Sequence, residues 1–318
     1  MDAKSRSSRV ILDCDPGIDD AIALHLIADE QRRGVLTLEG IVAVAGNVRL
    51  DLTARNAAFV AHEVGLGDVP VVRGAAGPLV AREAADAADF HGVDGLGGEY
   101  RSSAAAVPGD DGVQWMVDQI RVAANTQPVT LVAVGPLTNV ALAIRLEPRL
   151  PAMVERLIVM GGAFERPGNI TEFAEFNFYC DPHAADIVCA AGFALTIVPL
   201  NVTEQVAITM ADVETLEARL GGSTLASRLL RASITNYQAA DAIDACYMHD
   251  ALAAALVSRP ELVECEERPV CVVTEGARAG ESVFVRDDGR RPARVALGVD
   301  AAAARSLLLD ALVAVRAA

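Results

Sequence analysis

The chain is short of positive charge, and this deficit limits the partners that it can bind. Among 318 residues, 27 are Lys or Arg and 43 are Asp or Glu, so the formal net charge is −16. Such a charge repels phosphate backbones and anionic lipid surfaces. We therefore expect neither a nucleic acid polymer nor a membrane as a partner.

Long apolar runs and paired cysteines are also missing. No run reaches the roughly 18 apolar residues of a membrane-spanning helix, and residues 1–9 are polar rather than signal-like. This pattern predicts a cytoplasmic protein. The six cysteines show no metal-ligand spacing and lie mostly in apolar surroundings, so we expect reduced core residues.

Apolar residues make up 52% of the chain and form alternating strand-like and helix-like segments from Arg9 to about Ile144 without a linker. This alternation predicts an α/β fold, with a Rossmann-like, open, mainly parallel sheet and helices on both faces. Although the length permits two domains, we expect a single domain over residues 1–318, with residues 1–8 as a flexible N-terminus.

Two later segments carry separate expectations. Residues 74–100 are rich in Gly, Ala and Asp and lack periodicity, and so long a loop in a compact domain is usually functional. We predict that they form a mobile flap containing His91. The segment from Ser223 to about Cys246 is interpreted as one long helix.

The most informative segment runs from Val10 to Leu24 and carries Asp13, Asp15, Asp19 and Asp20 within eight residues. Its pattern predicts a strand, a Pro-Gly turn and then a helix. Asp15 therefore falls at the carboxyl end of a strand, which is the edge where open α/β sheets bind ligands.

This cluster needs a balancing charge, because no Lys or Arg occurs from Val10 to Gln31. A helix N-terminus contributes only about 0.3–1 kcal/mol per carboxylate. A hard divalent cation, either Ca²⁺ or Mg²⁺, would balance several carboxylates at once. The alternative is N-capping by one or two Asp residues with the others solvated.

Other polar residues follow predicted strands or begin helices. Asp250 is a candidate acidic ligand, with an N-cap as the equal alternative, and its neighbour His249 is either a core histidine or a proton donor. Glu175 and Asn177, two apart, would point to one side of an extended segment and could clamp hydroxyl groups. Glu175 and Asn169 could instead lie at a solvated loop edge. Asn47, Asn169 and Val134 also have plain turn interpretations, and Val134 could contribute only its carbonyl.

These motifs together resemble the inosine-uridine preferring nucleoside hydrolases. The resemblance is collinear from about Arg9 to the final helix. It rests on the following segments: 13–21 (DCDPGIDDA), 44–47 (VAGN), 134–139 (VGPLTN), 168–169 (GN), 174–177 (AEFN) and 249–250 (HD).

The resemblance implies a mixed, mainly parallel sheet with Ca²⁺ at its carboxyl edge, held by Asp15, Asp20, Asp250 and the Val134 carbonyl. It implies hydrolysis of ribonucleosides to ribose and free base, in which Asp15 is the general base on a calcium-bound water. His249 would assist departure of the base. The substrate would be bound by Asp19, Asn47, His91, Asn169, Glu175, Asn177 and Asp250.

The chemistry agrees with these roles, because cleavage of an N-ribosidic bond builds positive charge on the sugar, which carboxylates stabilise. The preference for purine or pyrimidine bases stays open, as does the role of Tyr237 and Tyr247, which either pack a helix or contact the base. The resemblance further implies a homodimer or homotetramer.

Two other functions remain open at this point. Asp13 and Asp15 at a strand end also resemble the paired acids of Mg²⁺-dependent aspartate phosphohydrolases, in which Asp13 would be the nucleophile. Alternatively, the chain could be a non-catalytic nucleoside or ribose-binding protein, because function follows from the site rather than from the fold.

Overall fold

The structure, a computed structural model, describes residues 7–82, 85–101, 109–286 and 289–315. The strands are β1 (Ser8–Cys14), β2 (Leu36–Ala43), β3 (Val71–Arg73), β4 (Thr130–Ala133), β5 (Arg156–Met160), β6 (Leu195–Val198), β7 (Ala207–Thr209), β8 (Ala245–Tyr247), β9 (Val263–Arg268), β10 (Val270–Val272), β11 (Ser282–Phe284) and β12 (Ala293–Val299).

Helices follow most of these strands. They are α1 (Ile18–Arg32), α2 (Leu50–Glu63), α3 (Ala88–His91), α4 (Gly112–Ala124), α5 (Thr138–Leu146), α6 (Leu150–Met153), α7 (Phe176–Cys180), α8 (Pro182–Ala190), α9 (Leu200–Thr203), α10 (Met210–Leu220), α11 (Leu225–Asp241), α12 (His249–Ala255) and α13 (Ala301–Val315). Short 3-10 helices cover Pro260–Leu262 and Gly276–Arg278.

One eight-stranded sheet organises the fold, in the order β3-β2-β1-β4-β5-β6-β12-β9. Its strand pairs are parallel except for β12 with β9, which is antiparallel. The small pairs β10–β11 and β7–β8 are antiparallel. The predicted α/β fold with a mainly parallel sheet is therefore confirmed.

The strand order reverses between β1 and β4, which are neighbours in the sheet although they are far apart in sequence. Such a reversal opens a crevice at the carboxyl ends of the two strands, because their following connections leave toward opposite sides. Asp15 follows β1 and Val134 follows β4, so both lie at this crevice.

Helix α1 is buried on every side although it carries polar residues such as Asp19, Asp20 and His25. Every residue from Ile18 to Glu30 is buried, because α1 packs beside the sheet and is covered by α11, α12 and α13. The first turn of α1, which carries Asp19 and Asp20, is consequently part of the protein interior.

The predicted helix from Ser223 to about Cys246 is wrong at its C-terminal end. Helix α11 stops at Asp241, and Ala242 adopts a left-handed conformation with φ of 57°. The next residues form β8, in which Cys246 pairs with Ile208 of β7. Pairing with β7 therefore makes this segment a strand although its local sequence pattern is helical.

Two boundary expectations meet the structure in part. Ser8 pairs with Leu36 in the sheet, so it belongs to β1 rather than to a flexible terminus, whereas residues 1–6 lie outside the described residues. The predicted flap contains α3, and its Phe90 carbonyl accepts a hydrogen bond from Asn236 Nδ2 at 3.0 Å. Residues 83 and 84 of the flap are not described, and its mobility stays a prediction.

No helix in the described parts of the chain is long and apolar enough to cross a membrane.

Gly40 offers a test of the packing between β2 and α4. A Cβ at this position would overlap the ring of Trp115, the single tryptophan, and would lie 2.7 Å from its Cζ2. We expect Gly40→Ala to destabilise the protein by about 1–3 kcal/mol, as overpacking does, and to change Trp fluorescence.

Thermal denaturation followed by fluorescence measures this effect. Gly77→Ala is the matched control, because nothing lies within 4 Å of a Cβ there. A Gly40→Ala protein as stable as this control would contradict the described packing.

Candidate active site

A cavity of about 350 Å³ opens at the carboxyl edge of the sheet. Among the described residues, none of those lining it is Lys or Arg. Its polar wall consists of Asp15, Asp19, Asn47, Asp86, His91, Asn169, Glu175, Asn177, Glu204, Tyr237, Asp241, Tyr247, His249 and Asp250. Ten of the eleven predicted site residues line this cavity if the Val134 backbone is counted, and Asp20 lies directly behind it.

Asp15 is held at the centre of this edge by the backbone that follows β2. Asn47 donates its backbone N–H to Asp15 Oδ2 at 2.7 Å, and its side-chain amide donates to the Asp15 carbonyl at 3.1 Å. A Cβ on Gly46 would lie 2.8 Å from Asp15 Cγ, and one on Gly135 would lie 2.6 Å from Oδ1. Both strand ends therefore need glycine to accommodate the carboxylate.

Asp20 both caps α1 and belongs to the acidic cluster. Its Oδ2 accepts from the Gly17 N–H at 2.8 Å, and its Oδ1 accepts from the Asp15 N–H at 3.3 Å. Asp20 is the third residue of α1, and its bond to the Gly17 N–H is the reach-back half of a capping box in which Gly17 is the N-cap. These hydrogen bonds do not neutralise Asp20, because Asp19 and Asp250 lie close by.

Three buried carboxylates form the tightest group: oxygens of Asp19, Asp20 and Asp250 lie within 4.8 Å of one another. Asp19, which we predicted only as a substrate-binding residue, therefore also belongs to the acidic cluster. Its Oδ1 is buried and has no hydrogen-bond partner among the described residues. An open oxygen in a cluster of carboxylates suits a hard cation, which takes oxygen ligands.

Burial and mutual repulsion raise the pKa values in this cluster. Burial raises the pKa of Asp20 to about 7, and the charge of Asp19 adds to this effect. Burial also raises the pKa values of Asp15 and Asp250 well above the ordinary range, reinforced by Asp20 at Asp15 and by Asp19 at Asp250. A bound cation would favour the ionised forms instead.

Asn177 lies beside Val134, where it donates its side-chain amide to the Val134 carbonyl at 2.7 Å. Asn177 belongs to α7, and Glu175 is the N-cap of this helix, so the extended segment predicted for the pair is wrong. Local capping explains the difference. The Glu175 carboxylate accepts from the N–H groups of Gly162, Asn177 and Phe178 at 2.8–3.0 Å.

Asn169 lies on the loop that faces the start of α7. Its Oδ1 accepts from the Phe176 N–H at 2.9 Å, so this side chain joins the loop to the helix while still lining the cavity. Its predicted turn role and its position at the cavity are therefore compatible.

The two histidines lie on the cavity wall and are held in different ways. Nδ1 of His91 accepts from the Ile18 N–H at 3.0 Å, and its Nε2 lies 3.9 Å from Asp19 Oδ1. Nε2 of His249 lies 3.4 Å from the Tyr237 hydroxyl. Burial lowers the pKa of both rings, and the charge of Asp19 partly opposes this shift.

Aromatic rings occupy the side of the cavity around His249. Tyr237 contacts Phe90 and Tyr247, with ring centroids 4.9 and 5.5 Å apart. The helix-packing interpretation of the tyrosines is thus incomplete, since both line the cavity. They offer apolar faces to a planar group.

Asp13 does not support the phosphohydrolase alternative. It is fully buried, does not line the cavity, and accepts a hydrogen bond from Asn139 Nδ2 at 2.7 Å. Burial raises its pKa to about 8, which disfavours the ionised form that a nucleophile needs. Such a group cannot be a nucleophile for a substrate in the cavity.

Glu204 was missed by sequence reasoning. It lies just after α9 and lines the cavity, where Arg166 Nη2 pairs with it at 2.5 Å. The short segment that follows β6 leads to Glu204 at the same sheet edge as Asp15, and this was the available signal.

The site therefore combines a carboxylate that can take a proton, an acidic cluster that can hold a cation, and an imidazole on an aromatic wall. These groups define the class of the protein as a hydrolase of the carboxylate-dependent type.

Comparison with known proteins specifies this class. The sequence model of the family described as inosine-uridine preferring nucleoside hydrolase matches residues 10–306, and the chain belongs to this family. It is thus a nucleosidase, an enzyme that hydrolyses N-glycosyl bonds.

Its relatives match nearly the whole chain. The non-specific ribonucleoside hydrolase RihC of Klebsiella pneumoniae is 38% identical over 301 residues, which cover 92% of this chain and 93% of that protein. A plant nucleoside hydrolase, PpNRh1, has a TM-score of 0.86 at 32% identity and covers 96% of this chain and 99% of its own. A purine-preferring ribonucleoside hydrolase from Gardnerella vaginalis has a TM-score of 0.90 at 25% identity, with coverages of 98% and 100%.

Replacement of Asp250 tests the acidic cluster, because the effect on Tm should be opposite with and without Ca²⁺. The raised pKa of Asp250 in the folded protein means that its ionisation costs stability, and this cost grows as the pH rises above the ordinary range of Asp. Without a cation at pH 8, we expect Asp250→Asn to raise Tm by at least ~2 °C.

With millimolar Ca²⁺ the order should reverse, because a cation at 100 times its Kd adds about 2.7 kcal/mol to the wild-type protein. Differential scanning calorimetry with and without Ca²⁺ measures both effects. Asp89→Asn, which changes an exposed acid, is the control. Equal Ca²⁺ shifts in both variants would show that the cluster does not bind the ion.

Proposed function

We propose that this chain hydrolyses the N-glycosidic bond of ribonucleosides to ribose and free base. The observation that carries the proposal is the placement of Asp15 and the buried acidic cluster in a cavity whose described wall contains no Lys or Arg. The family and the ribonucleoside hydrolases similar to this chain support the substrate class.

Ca²⁺ is the proposed cofactor, with Asp15, Asp20, Asp250 and the Val134 carbonyl as its ligands. These residues fit a hard cation, because all the donors are oxygens, oxygens of Asp20 and Asp250 lie within 4.8 Å of each other, and Asp15, Asp20 and Asp250 repel one another. A cation held by these residues would lower the pKa of a bound water and so supply the nucleophile.

In the proposed reaction, Asp15 removes the proton from the attacking water. Two glycine neighbours and the Asn47 N–H fix this carboxylate, so it needs no reorganisation. Positive charge develops on the ribose as the bond to the base breaks, and the surrounding carboxylates stabilise it more than they stabilise the neutral substrate. Attack on the face opposite the base gives inversion.

Ribose binding is assigned to Asp19, Asn47, Asn169, Glu175, Asn177 and Asp250. The side-chain amide of Asn47 also donates to the Asp15 carbonyl, and that of Asn177 donates to the Val134 carbonyl. These hydrogen bonds fix both amides next to the proposed metal ligands. His91, held by Ile18, completes this wall.

His249 is the proposed donor to the departing base. It lies among the aromatic rings of Tyr237 and Tyr247, which provide faces for a planar base. Burial lowers the pKa of this ring, and the charge of Asp19 partly opposes that shift, so Asp19 favours the protonated form that donation requires. A homodimer or homotetramer is the expected assembly, on the resemblance to the family alone.

Ribose release tests the proposed function directly. We expect the purified protein with Ca²⁺ to release reducing sugar from inosine, uridine, cytidine or adenosine, and Asp15→Asn to lose on the order of 10³-fold in kcat because the general base is gone.

The variant's circular dichroism should remain native, and Asp89→Asn should keep full activity. Phosphate release from p-nitrophenyl phosphate without ribose release would favour the phosphohydrolase. Nucleoside binding in calorimetry with no ribose formed over hours would favour a binding protein.

Replacement of His249 by alanine tests proton donation. Nucleosides have poor leaving groups, so we expect a loss of about 10²-fold or more in kcat. p-Nitrophenyl riboside needs no proton for departure, and its turnover should stay within about 3-fold of wild type. His62→Ala, on an exposed face of α2, is the matched control. Equal losses on the two substrates would refute the donor role.

A further inference from the structure

His249 contacts a residue that has no part in the proposed reaction. Its Nδ1 lies 2.8 Å from Oγ1 of Thr203, which is fully buried. Thr203 does not line the cavity, whereas the other ring nitrogen of His249 faces the cavity residue Tyr237. The hydroxyl therefore contacts the imidazole on the side that faces away from the cavity.

The fold brings this hydroxyl to the sheet edge on a fixed backbone. β6 ends at Val198, and α9 then carries Thr203 to the start of α12, where His249 lies. The Thr203 N–H donates to the Pro199 carbonyl, and its own carbonyl accepts from the Val206 N–H, both at 3.1 Å. A β-branched side chain on such a backbone has little freedom at χ1.

The second histidine shows what is particular to this contact. Nδ1 of His91 faces a backbone N–H, which can only donate, so His91 must present Nδ1 as an acceptor. A threonine hydroxyl can accept a hydrogen bond from Nδ1 or donate one to it. Thr203 can therefore keep His249 in one orientation with either nitrogen protonated.

We infer that Thr203 is a positioning residue for His249. Its hydroxyl holds the imidazole so that Nε2 faces the aromatic side of the cavity, where the base departs. This inference rests on the proposed role of His249. Thr203 itself touches neither sugar nor base, and its effect arises from the larger fraction of time that the ring spends in the reactive geometry.

The test compares Thr203→Val, which removes the hydroxyl and keeps the shape, with Thr203→Ser, which keeps the hydroxyl. For inosine or uridine, the valine variant should lose about 10-fold or more in kcat with KM within about 2-fold, as expected for a misoriented donor. Serine should restore kcat to within about 3-fold. Turnover of p-nitrophenyl riboside should be unaffected by either change.

Thr130→Val is the matched control. Thr130 is also fully buried, but it lies at the amino end of β4, and its hydroxyl accepts from Arg156 rather than from a site residue. In a His249→Ala background, Thr203→Val should cause no further loss, because the ring that it orients is absent. Equal losses on both substrates, no rescue by serine, or additive losses with His249→Ala would overturn the inference.

A spectroscopic measurement separates this inference from the proposed function. The ¹⁵N signal of His249 Nδ1 should shift in Thr203→Val and return in Thr203→Ser, whether or not the protein turns over a nucleoside. An unchanged signal would overturn the positioning role. Absence of ribose release from every nucleoside by the wild-type protein would contradict only the proposed function.

Discussion

The confinement of several carboxylates at one buried sheet edge is the constraint on which the site depends. An ionised carboxylate removed from water costs several kcal/mol unless hydrogen bonds or a counter-charge compensate. The chain supplies backbone N–H groups to Asp15, Asp20 and Glu175. It leaves Asp19 Oδ1 without a hydrogen bond and places no Lys or Arg on the described cavity wall, so we expect the remaining compensation to come from a cation or from protons.

The sheet makes this arrangement rigid. The reversal of strand order between β1 and β4 opens the crevice, and the glycines after β2 and β4 let the backbone close around Asp15. Helix α1 adds to this rigidity because it is buried over its first thirteen residues. A carboxylate carried on such a frame keeps its direction while substrate enters and product leaves.

Contiguous motifs made much of this predictable. The acidic turn and the pair His249 and Asp250 follow strand or helix boundaries that local patterns reveal, and the structure places them together. Contacts between distant segments escaped the same reasoning. The predicted long helix is shorter because β8 pairs with β7. Glu175 is the N-cap of α7 rather than part of an extended segment. Thr203, which contacts His249, belongs to no recognisable sequence motif. Contacts between residues that are distant in the sequence depend on how the elements pack, and local sequence patterns do not reveal that packing.

The two sides of the cavity differ in charge, and this difference bears on the choice of substrate as well as on the proposed reaction. Carboxylates surround the proposed sugar position, whereas aromatic rings line the side around His249. In the proposed reaction, charge that develops on the sugar would meet the carboxylates, and the departing base would lie against the aromatic rings and an imidazole. A phosphate on the ribose would meet the same carboxylates and be repelled. If the proposed mechanism holds, the same carboxylates should also make the site prefer nucleosides to nucleotides.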